Sequence, residues 1–306
     1  MLSGETIPFR NVELTDKSWI DKRLAESDYN GCEYCFGNIY VWGEIYQFKV
    51  VDFLDFLIIK TVMGGKVVHY YPAGSGDIKK VIQELVKEGL RTGHPLVFGN
   101  ITQQHAKELN DLFPGAFTYK EIRDASDYIY SREKLSTLAG KRYHGKRNHI
   151  NRFKDNPNWS FEIINQDNLR ECFEMSIAWN KIFFDNLNSS GEISEDSDFR
   201  ASTLFLSNYE ALGLEGGLLR QNGKVIAFTI GERLNLDTYV IHIEKAFRDV
   251  QGAYPMINQQ FTQQLPEDIK YINREEDLGI ESLRYSKMSY HPEILLTKYQ
   301  ATFQKL

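Results

Sequence analysis

Cysteine is scarce in this 306-residue chain: Cys32, Cys35 and Cys172 are all there is, too few for a disulfide framework. Cys32 and Cys35 have redox or zinc spacing, but a closed zinc site needs two further ligands, and the sequence offers no second Cys-x-x-Cys and no paired His motif. The cysteines are therefore expected to be structural thiols, with redox sensing as the alternative, and no metal site is expected. No apolar run approaches the ~20 residues that span a bilayer, and residues 1–10 lack the apolar stretch of a signal peptide, so a cytoplasmic location is the default. Basic charge is not in excess either. With 36 Lys+Arg against 42 Asp+Glu the net charge is −6, which excludes a generally basic nucleic-acid coat but leaves room for a local basic site. There is no P-loop and no Ser-His-Asp pattern.

What is present fits a well-packed protein long enough for two domains, 42% hydrophobic and 13% aromatic. The most informative stretch is residues 215–260. Three apolar runs are separated by Asn222-Gly223 and by Asn235-Leu236-Asp237, and Asn-Gly is a strong hairpin signal because both residues tolerate positive φ. A loop through Arg248 and Gly252 then leads into a helix with Met256, Ile257 and Phe261 on one face. A strand feeding a helix N-terminus through a glycine turn presents backbone N–H groups to an anion.

The first half reads as a meander over residues 45–51, 53–61 and 66–71, with a turn at Gly64-Gly65, then a helix capped by Asp77, a short strand at 95–98, a helix over 103–112 and strands near 116–121 and 128–130. The second half opens with one long helical pattern over 132–155. A strand at 159–164, a helix over 166–184, a polar loop at 186–197 that invites mobility, and a helix over 199–209 precede the informative stretch. A strand at 269–272, a helix over 274–289 and an extended tail follow. The two halves share a pattern of strands, helix, strand, helix and closing strand, as a duplicated α/β unit would.

The hairpin, bulge-prone strand and glycine loop resemble the core of GNAT-type N-acyltransferases. A tandem of two such units resembles the Fem peptidyltransferases and, more closely, the soluble C-terminal portion of bacterial phosphatidylglycerol lysyltransferases. The stretches that carry this resemblance start at Lys141 (Lys-Arg-Tyr-His-Gly-Lys-Arg-Asn-His-Ile-Asn-Arg-Phe), at Gly252 (Gly-Ala-Tyr-Pro-Met-Ile-Asn) and at Tyr271 (Tyr-Ile-Asn-Arg-Glu-Glu-Asp-Leu-Gly-Ile). It implies an α/β (α+β) fold of two tandem GNAT-like domains with mixed, mostly antiparallel sheets flanked by helices. Residues 1–131 would be a degenerate first domain, 132–156 a linking basic helix, and 157–306 the second domain. The GNAT pyrophosphate loop reads Q/R-x-x-G-x-G/A; this chain has Arg248 and Ala253 at the outer positions but Gln251 for the first glycine. A side chain there obstructs close approach of a pyrophosphate to the backbone. The expected donor shifts from acyl-CoA towards aminoacyl-tRNA, which the related families use.

Three groups of residues are candidates for the chemistry. Lys141, Arg142, Lys146, Arg147 and Arg152 form the one dense basic segment, read either as a phosphate-binding strip for RNA or as a solvated helix face. Asn273, Arg274, Glu276 and Asp277 follow a strand, where a site belongs in an α/β sheet, but Asn273 and Glu276 also have capping-box spacing. His242 and Glu244 share one strand face, either as a proton acceptor at a cleft or as a buried couple. Catalysis is thus expected of Glu244, His242, Asn273 and Asp277, and donor binding of Arg248, Gln251, Gly252, Ala253, Arg274 and Lys287. The leading expectation is an acyltransferase moving an aminoacyl or other acyl group from an activated ester to an amine or hydroxyl, such as a lipid headgroup or peptide. An acyl-CoA N-acetyltransferase and a non-catalytic RNA, nucleotide or protein binding module remain alternatives. A cleft filled by side chains favours the last.

Overall fold

Asn222 and Gly223 take φ of 49° and 78°, the paired positive values of a two-residue hairpin turn, and so join Glu215–Gln221 to Lys224–Arg233 as the sequence leads one to expect. This comes from the computed structural model of the chain, which describes residues 6–187 and 195–304. The polar loop expected at 186–197 falls mostly on residues 188–194, outside the described residues.

The chain divides into two units, and the division does not follow the expected boundaries. Residues 129–274 and 288–293 make one unit; residues 1–128, 275–287 and 294–306 make the other. The C-terminal end returns to the first unit because its last strand, Lys298–Phe303, pairs antiparallel with both Val97–Thr102 and Phe117–Glu121.

In the first unit the sheet runs Arg10–Asn11, Lys49–Phe53, Phe56–Met63, Lys66–His69, Val97–Thr102, Lys298–Phe303, Phe117–Glu121, with Ala73–Gly74 beside Phe56–Met63. The run 53–61 is not a single strand. Leu54 and Asp55 both have positive φ, 52° and 66°, and turn it into a hairpin. Asp77 caps the helix Ile78–Thr92 by accepting from the Lys80 N–H, and Thr102 starts Gln103–Leu112 with a capping box shared with His105. Two helices, Lys17–Ser27 and Phe36–Tyr46, stand where no helical pattern is legible in the sequence.

Among the described residues the second sheet has seven strands, six of which run in the order Asp127–Ser131, Tyr271–Asn273, Thr238–Ala246, Lys224–Arg233, Glu215–Gln221, Trp159–Ile163. All neighbours are antiparallel except Tyr271–Asn273, which runs parallel to Thr238–Ala246. Ile150 and Phe153 of the helix His144–Lys154 and Met256 and Ile257 of the helix Ala253–Gln264 are buried with Leu219, Ala227 and Ala246 of the sheet. Each large apolar side chain removed from water in this way contributes about 1.5–3 kcal/mol.

The basic segment is not one helix. Arg132–Thr137 ends at Leu138, left-handed at φ 49°, Gly140 follows at φ 92°, and a short 3-10 turn leads into His144–Lys154. Arg147 fixes the break by donating to the carbonyl oxygens of Leu138 and Gly140. Likewise the helix expected over 274–289 begins only at Glu281. Glu275 and Leu278 are left-handed there, so Asn273 and Glu276 lie ahead of this helix and do not form its capping box.

Candidate active site

Thr238–Ala246 and Tyr271–Asn273 pair only through Thr238 with Tyr271, Tyr239 with Ile272 and Val240 with Asn273. Beyond Val240 the longer strand continues to Ala246, so two parallel strands part at their carboxyl ends, where α/β sheets place ligands. The same strand carries a bulge: Ile230 faces Ile243 but Gly231 faces Ile241, leaving His242 as the extra residue. Glu244 lies just past the bulge, and Arg274 is the first residue after the short strand.

These two side chains span the gap. Arg274 Nη2 donates to Glu244 Oε1 at 2.7 Å, and Asn258 Nδ2 donates to Glu244 Oε2 at 2.8 Å, so both carboxylate oxygens are engaged. The guanidinium carbon lies 4.8 Å from the Tyr290 ring centroid and 5.6 Å from that of Tyr130. Burial opposes the charge on Arg274, but Glu244, Tyr130 and Tyr290 outweigh it and hold the group above its ordinary value.

Lys146 joins this group. On His144–Lys154 it shares the inward face with Tyr143, Ile150 and Phe153, at helical spacing, in place of an apolar residue. Its Nζ donates to Ser289 Oγ at 2.7 Å and sits 3.8 Å from the Tyr290 ring centroid. Burial first, then the neighbouring Arg274, lower its pKa to about 8, against a smaller opposing pull from Glu244.

The structure therefore brings together Glu244, Arg274 and Lys146 of the residues singled out in the sequence. Lys146 and Arg147 turn inward, a correction to the basic strip; Lys141, Arg142 and Arg152 are exposed. The His242 side chain is enclosed, bonded to Glu232 at 3.0 Å and stacked on Phe205 at 4.6 Å. Asn273 is buried at the end of its strand. Arg248 and Gln251 are exposed on the turn, and Ala253 is in the core. Gly252, at φ 85°, is there for close packing, since a Cβ would meet the His149 carbonyl oxygen at 2.2 Å.

Asp277 and Lys287 belong to the first unit. Asp277, fully buried, accepts from Arg284, Tyr128 and Arg123 and from the Gly279 N–H. Burial raises its pKa, but these partners win and hold it well below the usual carboxylate range. It organises the turn that delays the helix to Glu281. Lys287 donates to the Glu275 carbonyl at 3.4 Å.

Sequence reasoning missed Asn258, Ser289, Tyr130 and Tyr290. Asn258 carries a signal in hindsight, being polar on the face of Met256, Ile257 and Phe261. Also missed is a charge cluster inside the first unit. Lys298, 1% exposed, donates to Glu33 Oε2 and Asp127 Oδ1, both at 2.6 Å. Asp127 Oδ2 also accepts from the Cys32 N–H. Cys32, Glu33 and Asp127 are close enough to share a metal ion, but the Lys298 ammonium already supplies a cation there. Burial and Asp127 push the Cys32 thiol up, which keeps it protonated and unreactive.

The family described as phosphatidylglycerol lysyltransferase, C-terminal, matches residues 24–302. A crystal structure of a conserved protein of unknown function from Bacteroides thetaiotaomicron is 37% identical, covers 98% of this chain and 100% of its own, and superposes with a TM-score of 0.92. The C-terminal domain of a putative lysylphosphatidylglycerol synthetase from Agrobacterium fabrum shares 15% identity over 95% of this chain and 92% of its own, at a TM-score of 0.66. FemX shares 8% over 97% of each chain, at 0.59. These likenesses bear out the expected fold of two GNAT-like units with mixed, mostly antiparallel sheets flanked by helices. An uncharacterised protein of Mycoplasmoides gallisepticum is 25% identical over 183 residues, 57% of this chain, which spans about half (55%) of that relative's length. Among the described residues no helix is long and apolar enough to cross a membrane.

Proposed function

The chain belongs to the phosphatidylglycerol lysyltransferase C-terminal family, and from that premise we propose that it transfers an aminoacyl group from an activated ester, carried by tRNA, to an amine or hydroxyl acceptor such as a lipid headgroup or a peptide. The observation that carries this reading is the polar group of Arg274, Glu244, Asn258 and Lys146 where the two parallel strands part. Acyl transfer builds negative charge on the carbonyl oxygen, and a fixed cation aimed at that charge is worth most in a site shielded from water. Arg274 has that character: Glu244 and two aromatic rings hold it in place, so no reorganisation is needed as charge develops. With both oxygens engaged, Glu244 acts by positioning Arg274. The exposed Lys141, Arg142 and Arg152 supply phosphate contacts for the tRNA.

A specific observation favours a second reading. The gap between the strands is spanned by side chains, as a non-catalytic module that binds RNA or a partner protein would allow. Native mass spectrometry against a panel of aminoacyl-tRNAs and acyl-CoA species separates the two. Binding of charged tRNA with loss of the aminoacyl group supports transfer. Binding of charged and uncharged tRNA alike, with the ester intact, supports the inert module, and binding of acyl-CoA alone overturns the choice of donor.

A further inference from the structure

The contact between Lys146 and Ser289 goes further than charge stabilisation. Ser289 follows the helix Glu281–Met288 and precedes Tyr290, whose carbonyl oxygen accepts from the Tyr143 hydroxyl at 3.1 Å. Tyr143 lies one turn before Lys146, so one short segment fixes both the lysine and the residue next to the serine. Lys146 Nζ and Ser289 Oγ are 2.7 Å apart, within the reach required of a base and its nucleophile. We infer that Ser289 and Lys146 form a nucleophile–base dyad through which the chain carries the acyl group as a serine ester between donor and acceptor. This rests on the acyl-transfer reading of the same site and adds a covalent intermediate to it.

The electrostatic setting suits the lysine to that task. The charged groups facing it from other elements are Arg274, which disfavours its proton, and Glu244, which favours it less strongly; Arg142, Arg147 and His149 lie on its own helical segment. With a pKa of about 8, about a tenth of Lys146 is neutral at pH 7, whereas an ordinary lysine is almost wholly charged. Desolvation beside another cation is a recognised way to activate a lysine amine.

The steps balance. Neutral Lys146 takes the proton of Ser289 as Oγ attacks the donor's carbonyl carbon, and the ester C–O bond to the leaving alcohol breaks while the Lys146 ammonium returns a proton to that alcohol. The acceptor amine or hydroxyl then attacks the seryl ester, giving its proton to Lys146, which hands it back to Ser289 Oγ as the C–Oγ bond breaks. The carbonyl oxygen carries transient negative charge in both halves, near the Arg274 guanidinium.

p-Nitrophenyl acetate tests the dyad without the native donor. After acid quench, peptide mass spectrometry is expected to find one acetyl group on Ser289, increasing with pH to half its maximum near pH 8. Lys146→Arg keeps the charge and the hydrogen-bond donor but cannot act as base. It is expected to stay folded by thermal unfolding and to acetylate Ser289 at least about a hundredfold more slowly, the contribution of a positioned base. Acetyl on Lys146 instead of Ser289, or equal acetylation of Ser289 in Lys146→Arg, overturns the dyad. With charged tRNA, aminoacyl transfer at the wild-type rate by Ser289→Ala removes the covalent intermediate and leaves the proposed function standing. Acetylation of Ser289 without any aminoacyl transfer supports the dyad and removes the tRNA donor.

Discussion

Arg274 and Glu244 meet at 2.7 Å with side chains only 11% and 9% exposed, an ion pair held almost out of water. Breaking such a pair from one side leaves an uncompensated buried charge and typically costs about 3–5 kcal/mol, whereas replacing both partners with apolar residues costs much less. Glu244→Ala is therefore expected to lower stability more than the double change Glu244→Leu with Arg274→Met. A double-mutant cycle built from Glu244→Leu, Arg274→Met and the double change, read by urea denaturation, measures the coupling, and single losses that add up to the loss in the double change would show that the pair is not coupled.

Gly252→Ala places a Cβ 2.2 Å from the His149 carbonyl oxygen at a backbone φ of 85°. Strain at the left-handed position alone costs about 1–3 kcal/mol, and the clash adds to it because backbone cannot step aside as a side chain can. The expected signature is a lower Tm together with weaker packing of His144–Lys154 against Ala253–Gln264, read as faster amide exchange at Ile150 and Phe153.

In the first unit, burial and then Glu275 push Glu276 up to about 7 from 4.5, only partly countered by Lys298. A carboxyl whose folded pKa is raised adds stability below its unfolded value and loses it as pH rises through the folded one. Glu276→Gln should thus be more stable than the wild type at pH 8 and show a flatter stability curve between pH 4.5 and about 7. Lys298→Met should behave the opposite way, destabilising more at pH 8 than at pH 5, because Glu33, whose carboxyl burial pushes above its ordinary value, loses its cation while ionised at the higher pH. Urea denaturation at the two pH values decides both.

Exchanging the exposed Lys141, Arg142 and Arg152 for glutamate is expected to weaken tRNA binding, with the log–log salt slope falling by about 0.9 for each duplex phosphate that is no longer neutralised. Filter binding across a salt series checks it. An unchanged slope would assign the strip to an ordinary solvated surface.

The sequence carried the local signals well and the long-range ones poorly. Asn222-Gly223, Gly64-Gly65, Asp77 and Thr102 act through their own backbone neighbours and appear where their chemistry puts them. The helix Phe36–Tyr46 was hidden because its aromatic, β-branched and glycine-bearing sequence lacks a polar face. The break at Leu138 was hidden because a leucine gives no sign that it will be left-handed; the Arg147 side chain bonded to the carbonyls of Leu138 and Gly140 only emerges in three dimensions. Of the site, Glu244 and Arg274 were legible as polar residues at strand ends. Lys146 was legible only as a charge, since its inward turn depends on Ser289 and Tyr290, more than a hundred residues away. Lys298 with Glu33 and Asp127 is equally non-local.

The most direct test of aminoacyl transfer follows a labelled aminoacyl group from charged tRNA in the presence of amine, hydroxyl-lipid and peptide acceptors. The label is expected to leave the tRNA and appear on one acceptor class. Arg274→Lys, which loses the planar fork bonded to Glu244 and proposed to face the donor's carbonyl oxygen, is expected to slow transfer about a hundredfold or more while the protein stays folded. Label that stays on the tRNA across the whole panel, or transfer that ignores Arg274→Lys, would contradict the proposed function.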